Sequence, residues 1–289
     1  MNRRDMLKCM GLSAAALGFN LKGQEATAKP APKKALLAAQ MYTVREFTKT
    51  PAGLAESCAK VKKMGYDGVQ LSGHGPIAAT EIKKILEGEG LQCAVTHTGI
   101  GEMERNPNKV IDEHKMWNCK YVAIGGFFPG KDVKWDRALW ENFVKRYNGI
   151  AAKFAGSGIT IGYHNHSHEF VQCEDFLPID FLMKNLSPSI WFEFDLFWIA
   201  RAGADPVKYI EAVPNRCPVL HFKDIRLAQN RSTLQMCEVG DGNLNWQRIL
   251  PACRASNVEW YAVERDSGDL PAFDSLQKSL ENLRGKLGC

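Results

Sequence analysis

Short apolar runs recur along the chain about every 30 residues, and each is followed by a stretch with helical spacing. The runs are LLAAQMYT from Leu36, YDGVQLSG from Tyr66, LQCAVTHTG from Leu91, KYVAIGG from Lys120, GITIGYHNH from Gly158, SIWFEFDL from Ser189, CPVLHFKD from Cys217 and EWYAVERD from Glu259. Several are preceded by a helix that closes on glycine, as in AKVKKMGYDGV and KKILEGEGLQC, where glycine supplies a left-handed cap. Strands that are apolar almost throughout, alternating with helices, predict a parallel sheet covered on both faces. An open doubly wound sheet would carry a G-x-G-x-x-G turn after its first strand, and QMYTVREFTK has none. Eight such units in about 250 residues predict a (β/α)8 TIM barrel, a single domain over residues 36–289.

A barrel of this kind places its chemistry at the C-terminal ends of the strands. Those ends carry Gln40, Gln70, His97, His164 with His166, Glu193 with Asp195, His221 with Lys223, and Glu264 with Asp266. Residues two apart share a face of a strand. Val219, His221 and Lys223 are therefore expected to face the barrel interior, and Leu220 and Phe222 the helices. Glu193 is expected one layer below the mouth, paired with Lys223 as a buried ion pair. Carboxylates gathered this closely repel unless a cation lies between them, so the convergence predicts a bound divalent metal. Mixed imidazole and carboxylate suit zinc, manganese, cobalt or iron better than magnesium or calcium. The glycines of EVGDGNLNW (Glu238–Trp246) precede no P-loop lysine and read as a turn before a helix. Trp191, Phe197 and Trp198 are either core or a surface for stacking on a sugar.

Composition narrows the partners. Of the 289 residues 45% are hydrophobic and 24% charged, the net charge is +5, and no run of basic residues could follow a phosphate backbone, which argues against nucleic acid. The N-terminus reads as a twin-arginine-type signal peptide over residues 1–28: Arg3 and Arg4, then CMGLSAAALGF, then the small residues ATA at Ala26–Ala28. That predicts a periplasmic protein with no stable membrane insertion after cleavage, since the apolar segment is too short to span a bilayer. KPAPKKA, residues 29–35, reads as a linker. Nine cysteines without C-x-x-C or zinc-ribbon spacing are expected to be packing residues, with no disulfides.

QMYTVR, GYDGVQLSG, GYHNHSHEF, FEFDLFWIARAGADPVKYI, PVLHFKD, EVGDGNLNW and YAVERD resemble, in that order, the strand-end motifs of sugar phosphate isomerase/epimerase-like proteins of the xylose-isomerase-like TIM barrel superfamily. The resemblance implies one divalent ion held by a side chain from each of the fifth to eighth barrel strands: Asp195 from the sixth, His221 from the seventh and Glu264 from the eighth. On the fifth, relatives with ketose epimerase or endonuclease activity place a glutamate where His164 stands, so the ligand is His164, or Glu169 reaching back from the following loop. The resemblance further implies a sugar isomerase or epimerase working through a metal-stabilised enediolate. Glu264 and either His166 or Glu169 would move protons, Lys223 would neutralise an oxyanion, and Gln40, His97 and Trp198 would contact the substrate. The rival readings are a lyase or dehydratase acting on a keto-sugar at the same site, and a non-catalytic sugar-binding barrel. An endonuclease is disfavoured because its relatives carry a histidine where Trp198 stands. The expected partner is a neutral sugar, keto-sugar or cyclitol, and homo-oligomerisation is left open.

Overall fold

The computed structural model describes residues 35–289; the expected signal peptide and all of the linker but Ala35 lie outside them. The strands are β1 (Leu36–Gln40), β2 (Gly68–Leu71), β3 (Gln92–His97), β4 (Tyr121–Ile124), β5 (Thr160–His164), β6 (Trp191–Glu193), β7 (Val219–Phe222), β8 (Asp224–Leu227), β9 (Leu234–Cys237) and β10 (Trp260–Val263). The helices are α1 (Pro51–Met64), α2 (Ala79–Glu89), α3 (Ile100–Arg105), α4 (Pro107–Met116), α5 (Arg137–Phe154), α6 (Pro178–Asn185), α7 (Leu196–Arg201), α8 (Pro206–Ala212), α9 (Trp246–Ala255) and α10 (Ala272–Gly285).

Eight strands pair in parallel in the order β6-β5-β4-β3-β2-β1-β10-β7. The ends of this sheet meet: the Phe192 N–H donates to the Arg216 carbonyl at 2.6 Å, the His221 N–H to the Phe194 carbonyl at 3.0 Å, and Asp195 pairs with His221. The result is the expected barrel. Strand alternation divides the apolar residues as predicted for β7. Leu220 and Phe222 join the large core between strands and helices, whereas Val219 joins Ala38, Tyr121, Ala123, Trp191, Trp260 and Ala262 in a separate interior cluster. Trp191 and Phe197 are thus core residues. Helix ends follow their local chemistry. Thr50 caps α1, Pro51 occupies its first turn, and Gly65 at φ +108° closes it in the left-handed conformation, as Gly90 closes α2.

The sequence pattern missed the antiparallel hairpin of β8 and β9 that follows β7, with Asp224 opposite Cys237 and Leu227 opposite Leu234. Immediately beyond it, EVGDGNLNW is the turn that leads into α9. This turn is wound around the buried Asp224 carboxylate, which accepts hydrogen bonds from the Gly240, Gly242 and Leu244 N–H groups and, at 2.7 Å, from the Trp246 indole. A Cβ at residue 242 would lie 2.2 Å from Asp224 Oδ1, so glycine is required there. Cys58, Cys93, Cys119, Cys173, Cys217, Cys237 and Cys253 are buried, as packing residues are. Among the described residues no helix is long and apolar enough to cross a membrane.

Candidate metal centre

Adjacent strand ends bring His164, Asp195, His221 and Glu264 together. The barrel register sets this convergence: His164 stands beside Glu193 across β5 and β6, Asp195 pairs with His221, and Glu264 follows β10 next to β7. Asp195 also begins α7. Its Oδ1 accepts the Trp198 N–H at 3.1 Å and caps the helix, while its own N–H donates to the buried Asn165 side chain at 3.0 Å. One carboxylate oxygen is committed to the backbone and the other, Oδ2, is left to face the cluster.

His164 Nε2 lies 3.0 Å from His221 Nδ1 and 3.4 Å from Asp195 Oδ2. His221 Nδ1 lies 3.5 Å from Asp195 Oδ2 and 2.8 Å from Glu264 Oε2. Four donors bound tetrahedrally to one zinc-sized ion would stand about 3.4 Å apart, so these separations suit a shared cation. All four residues are buried. Asp195 Oδ2 and Glu264 Oε2 receive no aligned hydrogen bond, although Lys223 Nζ stands 3.0 and 2.7 Å away. Buried carboxylate oxygens left this way, beside two imidazole nitrogens, fit a divalent metal.

The charge balance agrees. Asp195, Glu264 and Asp266 surround Lys223, whose Nζ lies 3.0, 2.7 and 3.2 Å from their carboxylate oxygens. Burial alone would push the carboxyls of Asp195 and Glu264 up. The Lys223 ammonium and the neighbouring imidazoles outweigh it and hold both well below the usual carboxylate range. Burial, joined by the charge of Glu264, pushes Asp266 up to about 7. His164 is driven down to about 4 by burial and by His221, so its imidazole is neutral and able to donate a lone pair.

Glu193 corrects the expectation placed on it. It is fully buried, yet it pairs not with Lys223 but with two histidines: Oε2 lies 2.6 Å from His97 Nε2 and Oε1 lies 3.2 Å from His221 Nε2. The register puts Glu193 one layer below Asp195, while Lys223, just beyond β7, reaches Asp195 and Glu264 at the mouth. Glu169 is also turned away from the cluster. Its carboxylate accepts the Tyr163 hydroxyl at 2.7 Å and the His166 N–H at 2.9 Å. Tyr163 points into the outer core because it alternates with His164, and it holds Glu169 on that outer side.

Above the cluster opens a cavity of about 340 Å³. Its lining includes His97, His164, His166, Lys223, Glu264 and Asp266, together with Tyr42, Arg45, Ser72 and Phe128. Phe128 was not foreseen. It is 64% exposed and packs its ring against His166 with centroids 4.8 Å apart. Trp198 stands behind His166 at 5.2 Å and lies 5.7 Å from Lys223 Nζ. Gln40 is fully buried, caps the Tyr42 N–H with its amide oxygen and does not line the cavity.

A barrel whose strand ends converge in this way belongs to a defined class: residues 58–286 match the xylose isomerase-like TIM barrel family, and the chain is a member of it. Among similar proteins, the rhizopine catabolism protein MocC of Rhizobium meliloti is 21% identical over 244 residues, which cover 74% of each chain. An inosose dehydratase of Clostridium botulinum is 22% identical over 245 residues, covering 73% of this chain and 81% of that protein. A solved sugar phosphate isomerase/epimerase from Parabacteroides distasonis superposes with a TM-score of 0.73 at 21% identity, covering 87% of this chain and 94% of the other. The IOLI protein, solved with a bound zinc atom, superposes with a TM-score of 0.67 at 12% identity, covering 87% and 98%.

Proposed function

We propose that the chain is a metal-dependent enzyme that removes the proton beside the carbonyl of a sugar, keto-sugar or cyclitol. The observation that carries this reading is the convergence of His164, Asp195, His221 and Glu264 on one buried point beneath the cavity. A divalent cation held there would polarise the substrate carbonyl and its neighbouring hydroxyl, which makes the adjacent C–H bond acidic. Glu264, on the cavity wall, is the base that takes the proton. Lys223 keeps Glu264 ionised at 2.7 Å and, with Asp266, is placed to protonate or neutralise oxygen as charge moves onto it. His166, on the β5 side, is the second proton-transfer group, and the neighbouring Trp198 helps hold its ring.

Two outcomes share this first step. Isomerisation or epimerisation returns the proton to carbon; elimination expels a group from the next carbon. The structure of the Parabacteroides isomerase/epimerase supports the first by likeness of fold, and the inosose dehydratase relative supports the second. One feature of the site favours elimination. With His164 in the fifth-strand position and Glu169 turned outward, Glu264 is, among the described residues, the one glutamate lining the cavity, and an acid, Lys223 or Asp266, stands beside it. That is a base paired with an acid, rather than two glutamates working on opposite faces of an enediolate.

The substrate we favour is unphosphorylated. Arg45 and Lys223, the cations of the cavity lining, are already engaged: Arg45 with the Tyr42 and Asp266 carbonyls, Lys223 with three carboxylates. The twin-arginine-type signal read in residues 1–28 agrees, since it would place the enzyme in the periplasm. Proton NMR in deuterium oxide tests the proposal, using protein loaded with zinc, manganese or cobalt and a panel of ketoses, inososes and 3-keto-glycosides. Deuterium entering at carbon without loss of a substituent marks isomerisation or epimerisation, and an unsaturated product marks elimination. Binding of panel members with neither exchange nor product would reduce the protein to a sugar-binding barrel.

A further inference from the structure

We infer that Glu193, clamped by His97, is a positioning residue that fixes which ring nitrogen of His221 faces the metal, a role that rests on the metal reading above. A neutral imidazole carries one N–H and one lone pair, and a histidine ligand must present the lone pair. On its outer side, His221 Nε2 lies 2.9 Å from Gln70 Oε1 and 3.2 Å from Glu193 Oε1. Nδ1 faces His164 and the carboxylates of Glu264 and Asp195, so both ring nitrogens look toward acceptors. With a cation shared by these groups Nδ1 gives it the lone pair, and the Gln70 oxygen and the Glu193 charge behind the ring hold the proton on Nε2.

Glu193 is itself held on the far side. His97 Nε2 donates to its Oε2 at 2.6 Å, His97 Nδ1 lies 3.4 Å from the Ser72 hydroxyl, and the His97 ring stacks on that of His221 with centroids 5.4 Å apart. Glu193 is fully buried and does not line the cavity, which separates its role from that of a catalytic group. His164 differs, because its outer nitrogen, Nδ1, has no hydrogen-bond partner. Of the two histidines, orientation from behind is therefore built into His221. His97, Glu193 and His221 could also be read as a second metal trio. The 2.6 Å contact between His97 and Glu193 is instead a hydrogen bond. The His221 Nε2 proton lies between Gln70 Oε1, which accepts it, and Glu193 Oε1, which receives no aligned hydrogen bond and acts on it through its charge.

The test is zinc affinity, measured by competition with a chelating fluorophore, for the wild type and for the variants Glu193→Gln, His97→Asn and Asp195→Asn. Glu193→Gln keeps the side-chain shape and is expected to weaken zinc about 10- to 100-fold. His97→Asn is expected to weaken it less, in the same direction. In both variants the visible bands of cobalt-substituted protein should shift, reporting altered ligand geometry. A merely structural role would lower the melting temperature of the metal-free variants and leave zinc affinity and the cobalt spectrum unchanged. Zinc affinity within twofold of wild type in both variants overturns the inference while the metal reading stands. If Asp195→Asn also binds zinc like wild type, the metal reading itself has failed. Should Glu193→Gln not fold, His97→Asn, at a partly exposed position, decides the question.

Discussion

The two halves of the barrel mouth are built from the same strand–helix unit but from different chemistry. The arc from β5 through β6 and β7 to β10 supplies His164, Asp195, His221, Lys223 and Glu264, all buried and in mutual contact. The arc from β1 to β4 supplies Gln40, Gln70, Ser72 and His97, with Phe128 standing over the cavity from the loop after β4. The first arc concentrates charge that needs a counter-ion. The second, the Arg45 guanidinium apart, holds amide, hydroxyl, imidazole and aromatic groups that support the first from behind or shape the opening. If the division is real, substitutions in the two arcs should fail in different ways: loss of metal and of chemistry in one, loss of substrate fit in the other.

The largest effect should follow Glu264→Gln, which removes both a ligand and the base. Turnover is expected to fall about 10⁴-fold, at the upper end of acid–base effects, in steady-state kinetics on whichever panel member reacts. Lys223→Met should show mainly as instability, because it leaves Asp195, Glu264 and Asp266 without their buried cation. Removing one partner of a buried ion pair costs about 3–5 kcal/mol. Thermal unfolding in the presence of a chelator should show the full loss, and added zinc should recover part of it. On the other arc, Phe128→Ala is expected to raise KM roughly fivefold, the worth of one aromatic contact, with kcat little changed. A fall in kcat as large as that of Glu264→Gln would erase the distinction between the arcs. Leu227→Ser, on the hairpin and 50% exposed, should change stability by no more than about 0.5 kcal/mol in chemical denaturation.

The barrel was legible because each of its eight strands is an apolar run, seven of them closed by polar residues and the fourth by Gly125 and Gly126, a pattern that tertiary context had no reason to override. The strand-end chemistry was legible for the same reason, since residues two apart must share a face. Pairings across strands were harder to read. Whether Glu193 meets Lys223 or His97 depends on lateral register, and the alignment of Glu193 with His164 across β5 and β6 has no trace in either strand alone. Glu169 was ambiguous because three residues of loop follow Asn165, and only the outward alternation of Tyr163 shows where its carboxylate goes. The β8–β9 hairpin is short and half polar, so it carries neither a full apolar run nor a tight-turn dipeptide. Phe128 lies in a loop, where no periodicity marks an aromatic as facing a cavity.

The central claim is that four buried side chains share one divalent ion. Elemental analysis by inductively coupled plasma mass spectrometry, on protein purified without chelator, tests it most directly. The account predicts about one zinc, manganese, cobalt or iron ion per chain in the wild type and almost none in an Asp195→Asn, His221→Ala double variant that still melts cooperatively. Wild-type protein that carries no such ion and takes up none on dialysis against these metals, or a double variant that keeps its full complement, would contradict it.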